Sequence, residues 1–356
     1  MSKQRKLTLL FVLMFAANSY GQSRGGGADV VVTVRQLSRV ERRDVRSETG
    51  GFKLPVKCDV DGNIYLRPGG SRLGPIRKIE RDGKQAITVT AGSDVQWSRF
   101  GYFDVDGGGA IHQLAYISGD ADPYILHFKA DGTYASRTRL QPEPGLRWSV
   151  YQVASFPSGG FLVAGSAGNV ADSGSAVGRA LTVVVSTDGT IVKEVKLVDD
   201  EKLRGMAEKG EKGLVLPGAP EANLAIDFGS AEPAEDGNVY VMRHITPAII
   251  YVISPGGEVL RRFTLDPLPG SDSAGLLPLS LHISRNRLAV LFDDNRGKQL
   301  IKVVSPTGEL LATYETPTGP DSPGAGLACY LAEKERFVFL GRTDEGFVSF
   351  DVYTPR

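Results

Sequence analysis

The chain is poor in the residues on which most catalytic metal centres rely. It has four histidines, His112, His127, His244 and His282, and two cysteines, Cys58 and Cys329, in 356 residues. A zinc site built from three histidines needs its ligands on converging elements. Only His282 falls in one of the inner strands derived below, so that chemistry is disfavoured. The sequence also lacks a G-x-S-x-G elbow, an H-E-x-x-H helix and a phosphate-binding P-loop. Ser271–Gly275 is serine-rich, but its composition is that of a loop. Net charge is missing too: 41 basic side chains balance 41 acidic ones. The longest basic stretch is short, Arg39 to Arg46. Neither nucleic acid nor an anionic membrane surface is a favoured partner.

Long hydrophobic runs are absent as well. Leu7 to Ala17 is apolar but only 11 residues long, too short to span a bilayer. Lys3, Arg5 and Lys6 precede it and Ser19-Tyr20-Gly21 follow it. Basic, apolar, then small is the order of an export signal. Residues 1–21 are expected to be that signal, with cleavage before Gln22. No cysteine follows the apolar run, so a lipid anchor is not expected. Residues 22–29, with Gly25-Gly26-Gly27, read as a flexible leader. Removing the signal leaves 38 basic against 41 acidic groups, a net charge of −3. The mature protein is expected in the periplasm or outside the cell, as a monomer without a membrane span.

What the sequence has in quantity is turns. It contains 43 glycines and 20 prolines, spread among short runs rich in Val, Ile, Tyr and Phe. Two phrases alternate. In the first, a β-rich run, a tight turn and a second β-rich run follow one another. The copies begin at Val56 (VKCDVDGNIYL), Tyr102, Gln152, Ser230 (ending DGNVYVMRH), Ser280 and Ala328. The second phrase carries Asp-Gly, Pro-Gly-Gly or Pro-Thr-Gly, and its copies begin at Pro75, Tyr124, Leu181, Ile249 and Leu300. These turns supply the positive φ that tight hairpins need. Each pair of phrases predicts four strands, A to D, recurring about every 50 residues. That period fits the blades of a β-propeller.

The expected fold is therefore all-β: a six-bladed β-propeller of four-stranded blades, spanning residues 30–356. The sixth unit lacks a fourth strand. Val30 to Leu37, VVVTVRQL, is a lone strand before the first unit and is expected to close the ring as the outer strand of blade six. Residues 198–228 are an insertion between blades three and four, with a short helix expected around Asp199 to Glu208. The long connections, B to C and D to A, fall on one face. They include 67–74, 166–179 and 266–277. Long loops on a rigid scaffold usually carry ligand contacts.

The repeats resemble those of NHL-type propellers, in which a Val-rich strand precedes Asp-Gly-Asn-x-Tyr-Val. Asp61 to Leu66 and Asp236 to Val241 carry the likeness. The Asn-His-Arg-Ile stretch of that family is missing from every blade. Resemblance also brings in gluconolactonase-type propellers, which hold a divalent metal in a central channel with Glu, Asn and Asp. It implies Asp59, Asp104 and Asp227 as metal ligands, for calcium or another divalent ion, if the chain is an enzyme. Asp59, Asp61 and Asn63 also have the start of a calcium-loop spacing. Ile64 and Gly70 then stand where that loop needs glycine and glutamate, and hairpin turn chemistry accounts for the three. Amidating-lyase propellers, which use several inner-strand histidines, fit less well.

Arginines recur near the ends of B strands, at Arg67, Arg243 and Arg342, with His244 beside the second. Three guanidinium forks could hold a carboxylate or phosphate; ordinary solvated strand-end charges are the alternative. Cys58 and Cys329 fall in A strands of neighbouring blades. They are either a disulfide stapling the ring or two buried thiols. The leading function is a cofactor-free module that binds a protein or small molecule through the long-loop face. A metal-dependent hydrolase or lactonase and a purely structural envelope protein are the alternatives.

Overall fold

The computed structural model describes residues 33–45, 52–69, 73–91, 95–169, 179–197, 231–267, 276–294, 296–324, 326–342 and 348–356. The expected signal, the leader, the 198–228 insertion and its helix lie outside these residues. Among the described residues the regular structure is strands and two single 3-10 turns. No described helix is long and apolar enough to cross a membrane.

Strand β1 (Val34–Val45) comes first. A sheet follows from β2 (Phe52–Cys58), β3 (Ile64–Pro68), β4 (Ile76–Ile79) and β5 (Gln85–Val89). The next comprises β6 (Trp97–Val105), β7 (Ile111–Ile117), β8 (Pro123–Phe128) and β9 (Tyr134–Arg139). The third holds β10 (Leu146–Ser155), β11 (Phe161–Asn169), β12 (Arg179–Val185) and β13 (Ile191–Glu194). The fourth holds β14 (Ala231–Pro233), β15 (Val239–Arg243), β16 (Ala248–Ile253) and β17 (Val259–Leu265). Then come β18 (Leu277–Ser284), β19 (Arg287–Asp293), β20 (Gln299–Val304), β21 (Leu310–Glu315), β22 (Gly326–Leu331), β23 (Arg336–Arg342) and β24 (Val348–Pro355).

These last seven strands and β1 form one eight-stranded sheet, ordered β18-β19-β20-β21-β1-β24-β23-β22. Six separate sheets were expected; the structure has four of four strands and one of eight. The reason is β1. It pairs antiparallel with β24, from Leu37–Pro355 to Val45–Val348, and its first residues pair parallel with β21. The antiparallel partner of β24 is thus Leu37–Val45, downstream of the VVVTVRQL run expected to supply it. That segment carries five charged residues between Arg39 and Asp44. Polar composition hides an outer strand, because only one of its sides meets the rest of the sheet.

The arrangement is propeller-like. The first strands touch in a closed cycle, β2 to β6, β10, β14, β18, β22 and back to β2. The buried apolar side chains form six clusters, each filled from two successive groups of strands. Tyr65, Ile76 and Val89, for example, pack on Phe103, Ile111 and Phe128. Third strands lie between neighbours on both faces, and every residue of β16, AIIYVI, is buried. Fourth strands face solvent, and β13, IVKE, is largely exposed. This gradient follows the sequence: apolar runs inside, charged alternation outside.

The hairpin turns also follow the sequence. In the Asp59–Asn63 turn, the Gly62 N–H donates to the Asp59 carbonyl at 3.0 Å with φ of 83°. At Gly189 the demand is steric as well: φ is 87°, and a Cβ would lie 2.0 Å from the Arg139 carbonyl oxygen of the preceding sheet. Where glycine is missing, other residues take the left-handed conformation. Arg285 and Asn286 do so at φ of 45° and 54°, the two-residue hairpin favoured between twisted strands.

Candidate functional site

Three charged side chains occupy the same place in three first strands. Counting five residues back from the turn glycines Gly62, Gly109 and Gly237 gives Lys57, Asp104 and Glu232. Shared register gives them a shared direction, towards the middle of the cycle of first strands. Lys57 Nζ donates to Glu232 Oε1 at 2.8 Å and to the Ala231 carbonyl at 2.9 Å, and lies 3.3 Å from Asp104 Oδ1. Lys57 thus reaches from β2 to β14, which is not its neighbour in the cycle. Asp104 Oδ2 accepts from the Ser155 N–H at 2.8 Å and the Ser155 hydroxyl at 2.7 Å. Lys57 is 3% exposed and Asp104 is fully buried. His282 of β18 completes the set, its Nε2 donating to the Leu327 carbonyl at 2.7 Å.

Charges so deep in the protein persist only when paired. Burial works against the charged form of Lys57, but the Glu232 and Asp104 carboxylates outweigh it and raise its pKa. Burial lifts Glu232 to about 7, with Lys57 pulling down and Asp104 pushing up. The extra proton near neutrality therefore enters on Glu232. For His282, burial lowers the pKa to about 4, opposed by the Leu327 bond and helped by the Lys57 charge. His282 is the neutral partner beside a charged triad.

Two of the three expected metal ligands, Asp59 and Asp104, hold partners of their own. Asp59 stays in its own turn, where Oδ1 accepts from the N–H groups of Asp61 and Asn63 at 3.1 and 2.9 Å. Its Oδ2 accepts from Asn63 Nδ2 and the Tyr65 hydroxyl, both at 2.9 Å. Asp104 faces the Lys57 ammonium, and Asp227 lies outside the described residues. Asp59 and Asp104 as placed do not fit a divalent ion, since one is taken up by turn donors and the other by a cation. Among the described residues no cluster of three or more His, Cys, Asp or Glu could hold a metal. The turn geometry also explains the repeated Asp-Gly-Asn-x-Tyr phrase. In the fourth sheet Ala234 stands where Asp59 does, so Asp236 receives the Tyr240 hydroxyl instead, at 2.8 Å.

The arginines differ from solvated strand-end charges. Arg67 is 3% exposed and Arg243 fully buried. Arg67 Nη1 donates to the Gly101 carbonyl at 3.0 Å, linking the first sheet to the second, and its guanidinium lies 5.8 Å from the Phe100 ring centre. Burial lowers its pKa to about 10. Arg243 Nε donates to the Tyr251 hydroxyl at 3.1 Å. These two belong to different sheets, and each has a role within the fold. His244 is half-buried next to Arg243. The Arg342 side chain lies outside the described residues. Cys58 and Cys329 form a disulfide between β2 and β22, with Cα atoms 5.6 Å apart.

Lys57, Ser155 and Glu232 escape a reading by composition, because a lone charge in a β-rich run looks solvated. The signal that finds Lys57 and Glu232 is register: align the hairpins on their turn glycines, and the charges fall in one column with Asp104.

A second polar chain lies between the second and third sheets. His112 and His127 face each other with Nδ1 atoms 3.0 Å apart, and His127 Nε2 lies 2.9 Å from Thr138 Oγ1. Thr138 gives its own proton to the Thr187 carbonyl at 2.8 Å. Its oxygen therefore accepts from His127 Nε2, and His127 Nδ1 accepts from His112. Protonating His127 would set two N–H groups against each other. Burial, with the His112 charge, lowers its pKa from 6.5 to about 4. A histidine depressed on folding binds fewer protons folded than unfolded, so its contribution is complete above pH 6.5 and lost as pH falls towards 4. The variant His127→Gln is expected to lose less stability than the parent between pH 6.5 and pH 4. Urea midpoints across that range provide the check, and parallel profiles would refute the assignment.

No protein-family model and no curated protein sequence matches the chain. Among solved structures it is similar to a protein of unknown function from Bacteroides caccae, at 13% identity and a TM-score of 0.44, over 74% of this chain and 82% of that one. It is also similar to the holo pyranose dehydrogenase PQQ domain from Coprinopsis cinerea, at 12% identity and 0.44, over 91% and 98%. For the PQQ-bound aldose sugar dehydrogenase from Streptomyces coelicolor the values are 8% and 0.40, over 89% and 98%. Likeness at this level transfers neither ligand nor activity.

Proposed function

We propose that the chain is an exported six-bladed β-propeller of the NHL-like kind that works as a monomeric binding module. In this reading the eight-stranded sheet is two blades, β18–β21 and β22–β24, whose outer edges are joined by β1. The central ion network supports it most directly. Lys57 bonds across the ring to the opposite blade, so the centre at that level is filled by the protein's own side chains. Contacts with a partner then belong to an end of the ring, and the strand order brings the described starts and ends of the B–C and D–A connections to the same end. Leu73 and Leu277, both at that end, are 42% and 43% exposed. The Cys58–Cys329 bond suits an oxidising compartment, in keeping with the signal-like N-terminus.

Photo-crosslinking amino acids placed at Leu73 and Leu277, and separately at the exposed turn residues Asp131 and Asp188, test the face. Crosslinking of one defined partner in the exported fraction from the first pair alone is the expected result. Capture from the turn residues alone, or from neither pair, would overturn the reading.

A further inference from the structure

The histidine pair between the second and third sheets has a use beyond its part in stability. His112 of β7 and His127 of β8 stand directly opposite each other across the ladder, so their side chains share one face. Their Nδ1 atoms are 3.0 Å apart. Two nitrogens that each lie roughly 2.0–2.1 Å from one metal ion, at a right or tetrahedral angle, are themselves roughly 2.8–3.4 Å apart. The pair has the bite of a two-nitrogen chelate.

An imidazole that binds a metal commits its other nitrogen to a second partner, which fixes the tautomer and the direction of the ring. Both rings have such a partner. The Thr187 carbonyl takes the Thr138 proton at 2.8 Å, and the Thr138 oxygen accepts from His127 Nε2 at 2.9 Å. The His127 Nδ1 lone pair is thereby turned to His112. On the other ring, His112 Nε2 lies 3.7 Å from Asp106 Oδ2. The Phe161 ring confines both, edge-on to His112 at 5.1 Å and stacked on His127 at 5.6 Å. The site is not sealed: both histidines are half-buried, and the Asp106 side chain is 34% exposed. One proton lies between the two Nδ1 atoms. An ion replaces it when the two rings tilt towards solvent, and the proton passes to His112 Nε2, facing Asp106. No net proton is released.

Two protein ligands do not make the closed set of a structural site. Water or a donor from another molecule completes the shell, so the ion exchanges. Imidazole donors suit zinc, nickel and copper rather than calcium or magnesium, and copper(II) stands highest in that series. We propose that His112 and His127 chelate a divalent first-row transition-metal ion through their Nδ1 atoms, copper(II) most tightly, with Thr138 and Asp106 as positioning residues.

The test is calorimetric titration of the whole, tag-free protein with copper(II), zinc(II) and calcium. Copper(II) is expected to bind with a Kd on the order of 10 µM, zinc(II) at least about tenfold more weakly, and calcium not at all. His112→Gln and His127→Gln should each weaken copper(II) at least about tenfold. Thr138→Val, which lacks the hydroxyl, should lose about tenfold, while Thr138→Ser, which keeps it, binds as the parent does. Pulsed electron paramagnetic resonance of the parent with one equivalent of copper(II) should show two imidazoles on the ion, a reading that needs no variant to fold. No copper binding at ~1 mM, a first equivalent with fewer than two imidazoles, or unchanged binding by both histidine variants would each overturn the proposal.

Discussion

Replacing Lys57 with methionine is expected to lower the unfolding free energy by about 3–5 kcal/mol, because it leaves a buried carboxylate pair without its cation. Asp104 is fully buried and would keep only its two Ser155 bonds. Glu232 would lose both its hydrogen bond and the charge that opposes its raised pKa. The deficit should depend on pH with a definite sign. Glu232 has a folded pKa of about 7 against 4.5 for the free group. The folded state therefore holds the extra proton between those values, and this group's contribution to stability falls as pH rises from 4.5 to 7. Without Lys57 the carboxyl protonates more readily still, so the Lys57→Met deficit should shrink from pH 7 to pH 5. Urea denaturation at the two pH values measures it. A triple variant, Lys57→Met with Asp104→Leu and Glu232→Leu, is expected to recover most of the loss, since a buried network replaced whole by apolar groups is often neutral. A deficit under about 1 kcal/mol at pH 7 would mean that the network is wetter and weaker than its geometry indicates.

The second large effect concerns the covalent closure. The Cys58–Cys329 bond joins residues 271 apart in sequence. Cross-links that close long loops restrict the unfolded chain most, and loss of such a bond typically costs about 2–5 kcal/mol. Cys58→Ser with Cys329→Ser is expected to fall in the upper half of that range. The loss should be matched by the parent protein in urea with reductant. Intact mass of the unreduced parent should be lower than that of the reduced form by two hydrogens. If the double variant and the parent unfold at the same denaturant concentration, the strand pairing of β1 with β24 is enough to hold the ring without the bond.

These two sites show what could be read from residues alone and what could not. Hairpins were legible because their chemistry is local: Asp-Gly-Asn with a following tyrosine is a complete hydrogen-bonded turn, visible at Asp59–Tyr65 and Asp236–Tyr240. The apolar third strands were legible for the same reason. Lys57 was not, because its partners Asp104 and Glu232 lie on other sheets and only the register of the turns brings the three together. Arg67 and Arg243 lie at strand ends as expected, yet both are buried, and nothing in the repeat pattern signals that burial.

The pairing of β1 has a further consequence for how the chain can be made. β1 is synthesised before every strand of the ring, yet its antiparallel partner β24 is synthesised after all of them. Until β21 and then β24 are made, β1 is an orphan, offering a ladder of free N–H and C=O groups to any passing strand. Its sequence, Arg39-Val40-Glu41-Arg42-Arg43-Asp44, is a poor template for such encounters, since dense charge of both signs discourages edge-to-edge association. The residues that made this strand hard to recognise also keep it single until its partner arrives.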